Sequence, residues 1–337
     1  MIKKNWISVI TPCYNTAHLV VRLLDSILMQ DYPFVEMIVV DDGSTDNIKD
    51  VTEIYKDKFQ KKKYSFTFIQ QENCGQSVAI NNALKLCMGE FLTWPDSDDY
   101  ITDSHYYSKM VAKLKNSSTE NITSVRSLPS FVDEKTLRVT HKQKYIDSKK
   151  SIFEECLWAS DNFWFPPICY MVKISSIDAL IAFREIYTEK NAGQNWQIML
   201  PLFYRHECIL MPEYCVNVLE RSSSHSRGQY STYLQQSKKY LSYQNTIRET
   251  LRKIDADMCE YIHKIDSKYY GLQISLALTH NEKKAARYYF KKMWHLPMRF
   301  IPFKYFADYL LSFVPGYKRV LKFYYKVRLY ACRFRKI

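Results

Sequence analysis

The sequence predicts an α/β fold, with a mostly parallel sheet flanked by helices over residues 1–225 and an α-helical, basic region over 226–337. Three observations predict it. Short apolar runs alternate with amphipathic segments through the first hundred residues, which implies right-handed βαβ units. Polar and acidic residues gather where the apolar runs end, the place where open α/β sheets bind ligands. From about residue 230 the strand signal stops and helical patterns follow one another.

Taken in order, "WISVIT" (6–11) is a buried strand closed by Pro12. "TAHLVVRLLDSILMQ" then places Leu19, Leu23, Leu24, Ile27 and Leu28 on one helical face. "FVEMIVVDD" (34–42) is a second strand, stopped by "DGSTD", whose Thr45 or Asp46 can cap the helix "NIKDVTEIYKDKF". "SFTFIQQ" is a third strand, "GQSVAINNALKLCMG" a third helix ended by Gly89, and "EFLTWPDSDDY" a fourth strand. Beyond it "SHYYSKMVAKLKNSS" is helical, and "ITSVRSLPSFVDEKTLRVTHKQKY" is read as strands or an insert turning at "PSFVDE". "WFPPICYMVK" is extended, because each proline biases its predecessor away from helix. "NWQIMLPLFYRHE" is a helix and "CILMPEYCVNVLE" an edge strand. Helices are expected over "STYLQQSKKYLSYQNTIRETLRKI", "DMCEYIHKIDSKYYGLQISLALTH" and "NEKKAARYYFKKMW".

Composition narrows the function classes. A hydrophobic share of 47% with 25% charged residues supports a folded core and argues against disorder. The net charge of +13 favours an anionic partner: nucleic acid, a membrane face or a phosphate-bearing substrate. No helix-turn-helix, zinc or RNA-binding motif supports nucleic acid. The nine cysteines form no C-x-x-C pair, so a reducing, cytosolic setting is expected, with cysteines in the core. No apolar run has signal-peptide or membrane-spanning length. The last forty residues carry ten Lys/Arg against one acid, Asp308, interleaved with aromatics, a pattern that suits an anionic membrane interface.

The candidate site residues lie at the strand ends. In "PDSDD", Asp96 and Asp98 have the spacing to face one hard cation, Mn²⁺ or Mg²⁺, which would bridge a diphosphate. The same five residues would also make an ordinary turn. In "VVDDGSTD", Asp41 or Asp42 can accept hydrogen bonds from a base or ribose. Thr11 and Tyr14, either side of Pro12, would line the same mouth, as would Asn73.

"VITPCYN", "IVVDDGSTD", "NCGQSVAINNAL" and "EFLTWPDSDDY", in this order and spacing, resemble glycosyltransferase family 2, which has the glycosyltransferase-A fold and uses nucleotide-diphosphate sugars. The resemblance implies that Thr11, Pro12, Tyr14, Asp41, Asp42, Asn73, Gly75 and Asp96 hold the nucleotide, with Asp41 near base and ribose. It implies a metal on Asp96 and Asp98, Asp98 being the direct ligand, with His225 of "ERSSSHSRGQY" as a further candidate and Arg221 or Arg227 near phosphate. It implies an inverting displacement of a nucleoside diphosphate, a UDP-sugar as donor, and a cell-surface polysaccharide or lipid-linked saccharide as acceptor at the inner face of the membrane. Two departures stand out. Ile80 takes the place where the family often has arginine. Gln194 and Asn195 stand where many members carry a Glu-Asp pair whose aspartate is the general base; an amide orients a hydroxyl but takes no proton. Glu185, Glu189 and Asp161 are the alternative carboxylates. A non-catalytic nucleotide-sugar binder is the main rival. A sugar nucleotidyltransferase would want a glycine-rich loop, which "TPCYNTAHL" lacks.

Overall fold

The computed structural model describes residues 2–313 except 118, 120, 147–149, 161–162, 222–229 and 312. The chain divides into two compact units, one of residues up to 228 with 249–254, the other of residues 229–248 and from 255 onward.

The first unit begins with the predicted alternation: β1 (Lys3–Cys13), α1 (Ala17–Leu28), β2 (Val35–Asp42), α2 (Ile48–Lys61), β3 (Ser65–Gln71), α3 (Gln76–Leu84) and β4 (Gly89–Thr93). It continues with β5 (Tyr100–Ile101), α4 (Tyr106–Lys115), β6 (Ile122–Asp133), β7 (Val139–Lys142), α5 (Ile152–Trp158), β8 (Tyr170–Lys173), α6 (Ile174–Leu180), α7 (Gln194–Phe203) and β9 (Glu207–Glu220). These strands make one mixed sheet in the order β3-β2-β1-β4-β8-β6-β9-β5, with β7 on β6. β3, β2, β1 and β4 run parallel. β8 is antiparallel to β4 and β6, and β9 runs parallel to β6.

The apolar pattern explains the layering. All eight residues of β2 are buried, as a strand covered on both faces requires. On α1, Leu19, Leu23, Leu24 and Ile27 are at most 2% exposed. Each such side chain contributes roughly 1.5–3 kcal/mol through burial.

Several expectations are corrected. The third helix stops at Leu84, well short of Gly89. Arg184, a hundred residues on, donates from Nη1 to the carbonyls of Leu84 (3.1 Å) and Cys87 (2.8 Å), satisfying backbone groups that further helix would have used. Gly89 instead opens β4, where a Cβ would lie 2.7 Å from the Ser8 nitrogen. The fourth strand ends at Thr93, which leaves "PDSDD" in a turn. The first strand continues through Pro12 to Cys13. β6 likewise runs through Pro129, with register shifts on either side of Leu128, and turns only after Asp133. Pro167–Cys169 form a 3₁₀ turn within the stretch read as extended. β9 is not a bare edge, since Tyr100 and Ile101 of β5 pair with Asn217 and Val216.

The second unit holds most of α8 (Tyr233–Ile254), with α9 (Cys259–Thr279), α10 (Lys283–Trp294) and α11 (Phe303–Leu311). Thr232 caps α8 in a reciprocal box with Gln235. Ile274, Ala277, Leu278, Ala286, Tyr289, Phe290, Met293 and Tyr305 form the core of this unit. Among the described residues, no helix is long and apolar enough to cross a membrane. Residues 314–337 of the basic tail lie outside the described residues.

Candidate active site

β1 and β2 finish side by side, with Cys13 in register with Asp41. The turns that follow are laced together. Asn15, at φ 53°, donates its N–H to Ser44 Oγ (2.9 Å), and its Oδ1 accepts the Thr45 N–H (2.8 Å). Asp46 Oδ2 accepts the Ala17 N–H at 2.8 Å, so it caps α1 and not α2. The N-cap of α2 is Asn47, without a side-chain bond. A carboxylate at a helix N-terminus is favoured by the helix dipole.

The two adjacent aspartates have different work. Asp41, fully buried, accepts the Ser44 N–H at 2.8 Å and Gln70 Nε2 at 3.1 Å. Asp42 accepts Gln71 Nε2 (2.8 Å) and the N–H groups of Cys74 (2.9 Å) and Gly75 (3.0 Å), fastening the end of β2 to the start of α3. Half-buried Asn73 lies on this connection. Gly75 has φ 95°, and a Cβ there would sit 2.6 Å from the Lys190 carbonyl oxygen. Thr11 lies inside β1, fully buried, with Oγ1 unpartnered. Pro12 is half-buried and Tyr14 exposed. Burial pushes the Cys13 thiol up to about 12; the hydroxyls of Thr16 and Ser97 oppose this, while the charges of Asp41 and Asp46 add to it. It is an inert core group beside the site.

"PDSDD" joins the same cluster. Ser97 Oγ donates to Thr16 Oγ1 at 3.0 Å. Each aspartate has its own partner. Asp96 Oδ1 accepts from Gln76 Nε2 (3.0 Å) and Gln194 Nε2 (3.3 Å). Asp98 Oδ2 lies 2.7 Å from Arg221 Nε. Asp99 Oδ1 accepts the Leu219 N–H at 3.0 Å and anchors the end of β9. Burial and then the charge of Asp98 push the Asp96 carboxyl up to about 7, against the pull of Gln194, Gln76 and Arg221. Asp99 is driven well above the usual range by burial and by both neighbours. Two hard oxygen donors with surplus negative charge fit Mn²⁺ or Mg²⁺, which leave positions for water and phosphate oxygens. Among the described residues, the group of three side chains whose ligand atoms lie within 4.8 Å of one another is a different one, Asp103, Glu213 and Cys215. There Lys109 Nζ already sits 2.7 Å from Asp103 and 2.5 Å from Glu213.

The raised Asp96 value has a measurable sign. A carboxyl near 4 when unfolded and near 7 when folded holds more protons in the native state between those limits, so its effect on stability worsens as pH rises from about 4 to 7. In EDTA, the urea midpoint is expected to be lower at pH 8 than at pH 5. Mn²⁺ should restore it at pH 8, and Asp96→Asn should shrink the difference. A midpoint that climbs over this range, or an unchanged difference in Asp96→Asn, would contradict the assignment.

The start of α7 closes the other side. Gln194 is 1% exposed and its Oε1 has no partner; Asn195 Oδ1 is likewise buried and unpartnered. Residues 186–193, leading into α7, are held by polar side chains of α3 and of α7 itself. Asn81 accepts the Ile186 N–H at 2.9 Å and donates to the Ile186 carbonyl at 3.0 Å. Ser77 Oγ donates to Ala192 O (2.7 Å), and Gln197 Nε2 to Tyr187 O (3.0 Å) and Gly193 O (3.1 Å). Ile80 is a fully buried core residue. Glu185 is exposed and ion-paired with Lys85 at 2.8 Å, which turns that candidate base toward another partner. Glu189 accepts Tyr187 Oη at 3.3 Å, and no hydrogen bond or ion pair among the described residues joins it to Asp96 or Asp98. Asp161, His225 and Arg227 lie outside the described residues. Sequence reasoning missed Gln76 and Asn81; the signal available for Asn81 was an asparagine pair inside an otherwise apolar helix pattern.

Residues 8–165 match the family model described as glycosyl transferase family 2. Streptococcus pneumoniae glycosyltransferase GlyA is 32% identical over 157 residues, 46% of this chain and 22% of that protein. Staphylococcus aureus poly(ribitol-phosphate) beta-N-acetylglucosaminyltransferase TarS is 30% identical over 172 residues, 47% of this chain and 29% of TarS. The aligned segment thus spans less than a third of either relative. The crystal structure of S. aureus TarS with UDP-GlcNAc superimposes with a TM-score of 0.64 at 17% identity, over 91% of this chain and 89% of that one. The mannosyltransferase PcManGT from Pyrobaculum calidifontis, with GDP-Man and Mn²⁺, gives 0.53 at 15% identity, over 97% and 81%. The fold is the glycosyltransferase-A fold, and residues 8–165 carry a domain that matches glycosyl transferase family 2.

Proposed function

We propose that this chain transfers a sugar from a nucleotide-diphospho-sugar to a saccharide hydroxyl, with inversion and with a divalent cation, Mn²⁺ or Mg²⁺, on Asp96 and Asp98. One observation carries the reading: the acidic turn is tied to the β1–α1 turn through Ser97 and Thr16, that turn to the β2–α2 turn through Asn15 and Asp46, and the acidic turn to the start of α7 through Asp96 and Gln194. That arrangement supports a diphosphate-neutralising centre that would stand between a donor side and an acceptor side. The cation would supply charge neutralisation on the departing diphosphate. Asp41 and the turn around it would hold base and ribose. Gln194 and Asn195 would orient the acceptor hydroxyl through their amide oxygens, Oε1 and Oδ1, which have no other partner. Glu189, on the segment entering α7, is the carboxylate assigned to take its proton.

TarS is named for a poly(ribitol-phosphate) acceptor, and its structure was solved with UDP-GlcNAc, which supports a UDP-sugar donor and a cell-surface polysaccharide or lipid-linked saccharide acceptor. The proposed location is the cytoplasmic face of the membrane, reached through the basic aromatic C-terminal region. The test is a thermal-shift screen of UDP-, GDP- and dTDP-sugars with and without Mn²⁺. A UDP-sugar is expected to raise the midpoint, more so with the ion, because a ligand of the folded state stabilises it by mass action. No response to any donor would sink the transferase reading. A response indifferent to metal would sink the role given to Asp96 and Asp98.

The amides at Gln194 and Asn195 also favour a second reading, a nucleotide-sugar binder without turnover. Donor binding with neither hydrolysis nor transfer to any acceptor would select it.

A further inference from the structure

The helical unit carries an exposed apolar and basic surface that its own core leaves uncovered. Ala286, Tyr289, Phe290 and Met293 bury one face of α10. Past that face, Trp294 is 53% exposed, Met298 77% and Phe303 81%. They form one patch: the rings of Trp294 and Phe303 both lie against Phe306, at centroid distances of 6.3 and 6.2 Å. Met298 stands on the short connection between them. Lys291, Lys292, Arg299 and Lys304 lie within three residues of the patch's members in sequence, all exposed. From 283 to 307 the chain has seven Lys/Arg and no Asp or Glu.

Exposed Trp, Met and Phe side by side are unusual on a surface that meets only water. A protein interface also sets an apolar centre in a polar rim, but seven cations without one acid between 283 and 307 ask for an extended, uniformly anionic surface. An anionic bilayer meets both demands. The apolar tips enter the headgroup–acyl boundary, where Trp is favoured. The cations stay at the phosphates, their stems lying over apolar surface. Arg299 and Lys304 already lie over the rings of Phe300 and Tyr305, at 4.7 and 4.4 Å, in such an orientation.

We infer that the α10–α11 apex, Trp294, Met298 and Phe303 with their neighbouring Lys and Arg, is a docking surface for anionic lipid. This deepens the location proposed above by naming the element that touches the bilayer. It does not depend on the transfer reaction, because its readout is lipid binding.

The test is co-sedimentation of the full chain with vesicles of phosphatidylcholine alone or with phosphatidylglycerol. Anionic vesicles are expected to bind at least about tenfold better, with the advantage lost at high salt. The triple variant Trp294→Ser/Met298→Ser/Phe303→Ser should lose about tenfold or more while keeping its circular-dichroism midpoint, because all three side chains are exposed. Lys291→Gln/Lys292→Gln should lower binding to anionic vesicles only. Equal binding to both vesicle types, or a triple variant that binds as the unmodified chain does, would overturn the inference. So would a single-stranded oligonucleotide that displaces the vesicles at equal phosphate concentration, since it would reassign the cations to nucleic acid. The donor-induced thermal shift, read without vesicles, should be the same in all variants, so failure here is distinguishable from failure of the transferase reading.

Discussion

Asp98→Asn is expected to lower sugar transfer by about a thousandfold or more, ~4 kcal/mol in the barrier, while leaving the melting midpoint unchanged or slightly higher. The two effects part because Asp98 sits where charge is crowded. Its carboxylate raises both Asp96 and Asp99, and its partner Arg221 Nε is 2.7 Å away. Removing one negative charge relieves that repulsion, and the asparagine oxygen can still face Arg221. What the fold gains, the chemistry loses, because a neutral amide is a poor ligand for a hard cation. Release of nucleoside diphosphate from the donor that gives the largest thermal shift, together with a melt of the same sample, reads both effects. A variant that keeps a tenth of the activity would show that Asp98 is not the metal's ligand. A midpoint lower by ten degrees would make its role structural.

Gly75→Ala is expected to be the most destabilising conservative change in the site, by about 3 kcal/mol or more, or roughly 10 °C for a unit of this size. Two costs add. The backbone at φ 95°, ψ 159° is a region that only glycine occupies readily. The new methyl would also stand 2.6 Å from the Lys190 carbonyl oxygen, a backbone atom that cannot rotate away. The segment that yields is the one leading to Gln194, so the donor-induced thermal shift should fail even below the melting point. Gly193→Ala is the control: its φ is −77° and nothing lies within 4 Å of the added methyl, so a near-neutral midpoint is expected. Equal midpoints for the two variants would refute the close-packing argument.

The cluster of strand-end residues proposed to hold the donor was legible in sequence because each of its parts is local. A strand, a turn and a helix follow one another three times before β4, and the apolar period changes at each boundary, so Asp41 and Asp42 can be placed at a strand end, and Asp96 and Asp98 just past one, without knowing the fold. Features set by distant partners were not legible. The end of α3 is fixed by Arg184 and the entry to α7 by Asn81, each across about a hundred residues. Asp46 was legible as a cap, but of the wrong helix, because two turns that meet in space offer it two N-termini. The strand read through "PDSDD" failed for the opposite reason. Its local apolarity is real, since Trp94 is fully buried, but that burial lies just past the end of the strand.

The ion pair between Arg221 and Asp98 has a consequence for how ligands would arrive. A free cation must compete with a guanidinium that is tethered to the protein and never diluted. If that internal competitor holds the carboxylate in about 99% of molecules, the apparent metal affinity falls about a hundredfold below the intrinsic one. A diphosphate changes the contest, since it attracts metal and guanidinium together and gives the displaced Arg221 somewhere to go. Thermodynamic reciprocity then requires each ligand to tighten the other by the same factor. On the proposed reading the pair would act as a coincidence gate: ion alone and nucleotide alone would bind weakly, and the site would fill when both are present.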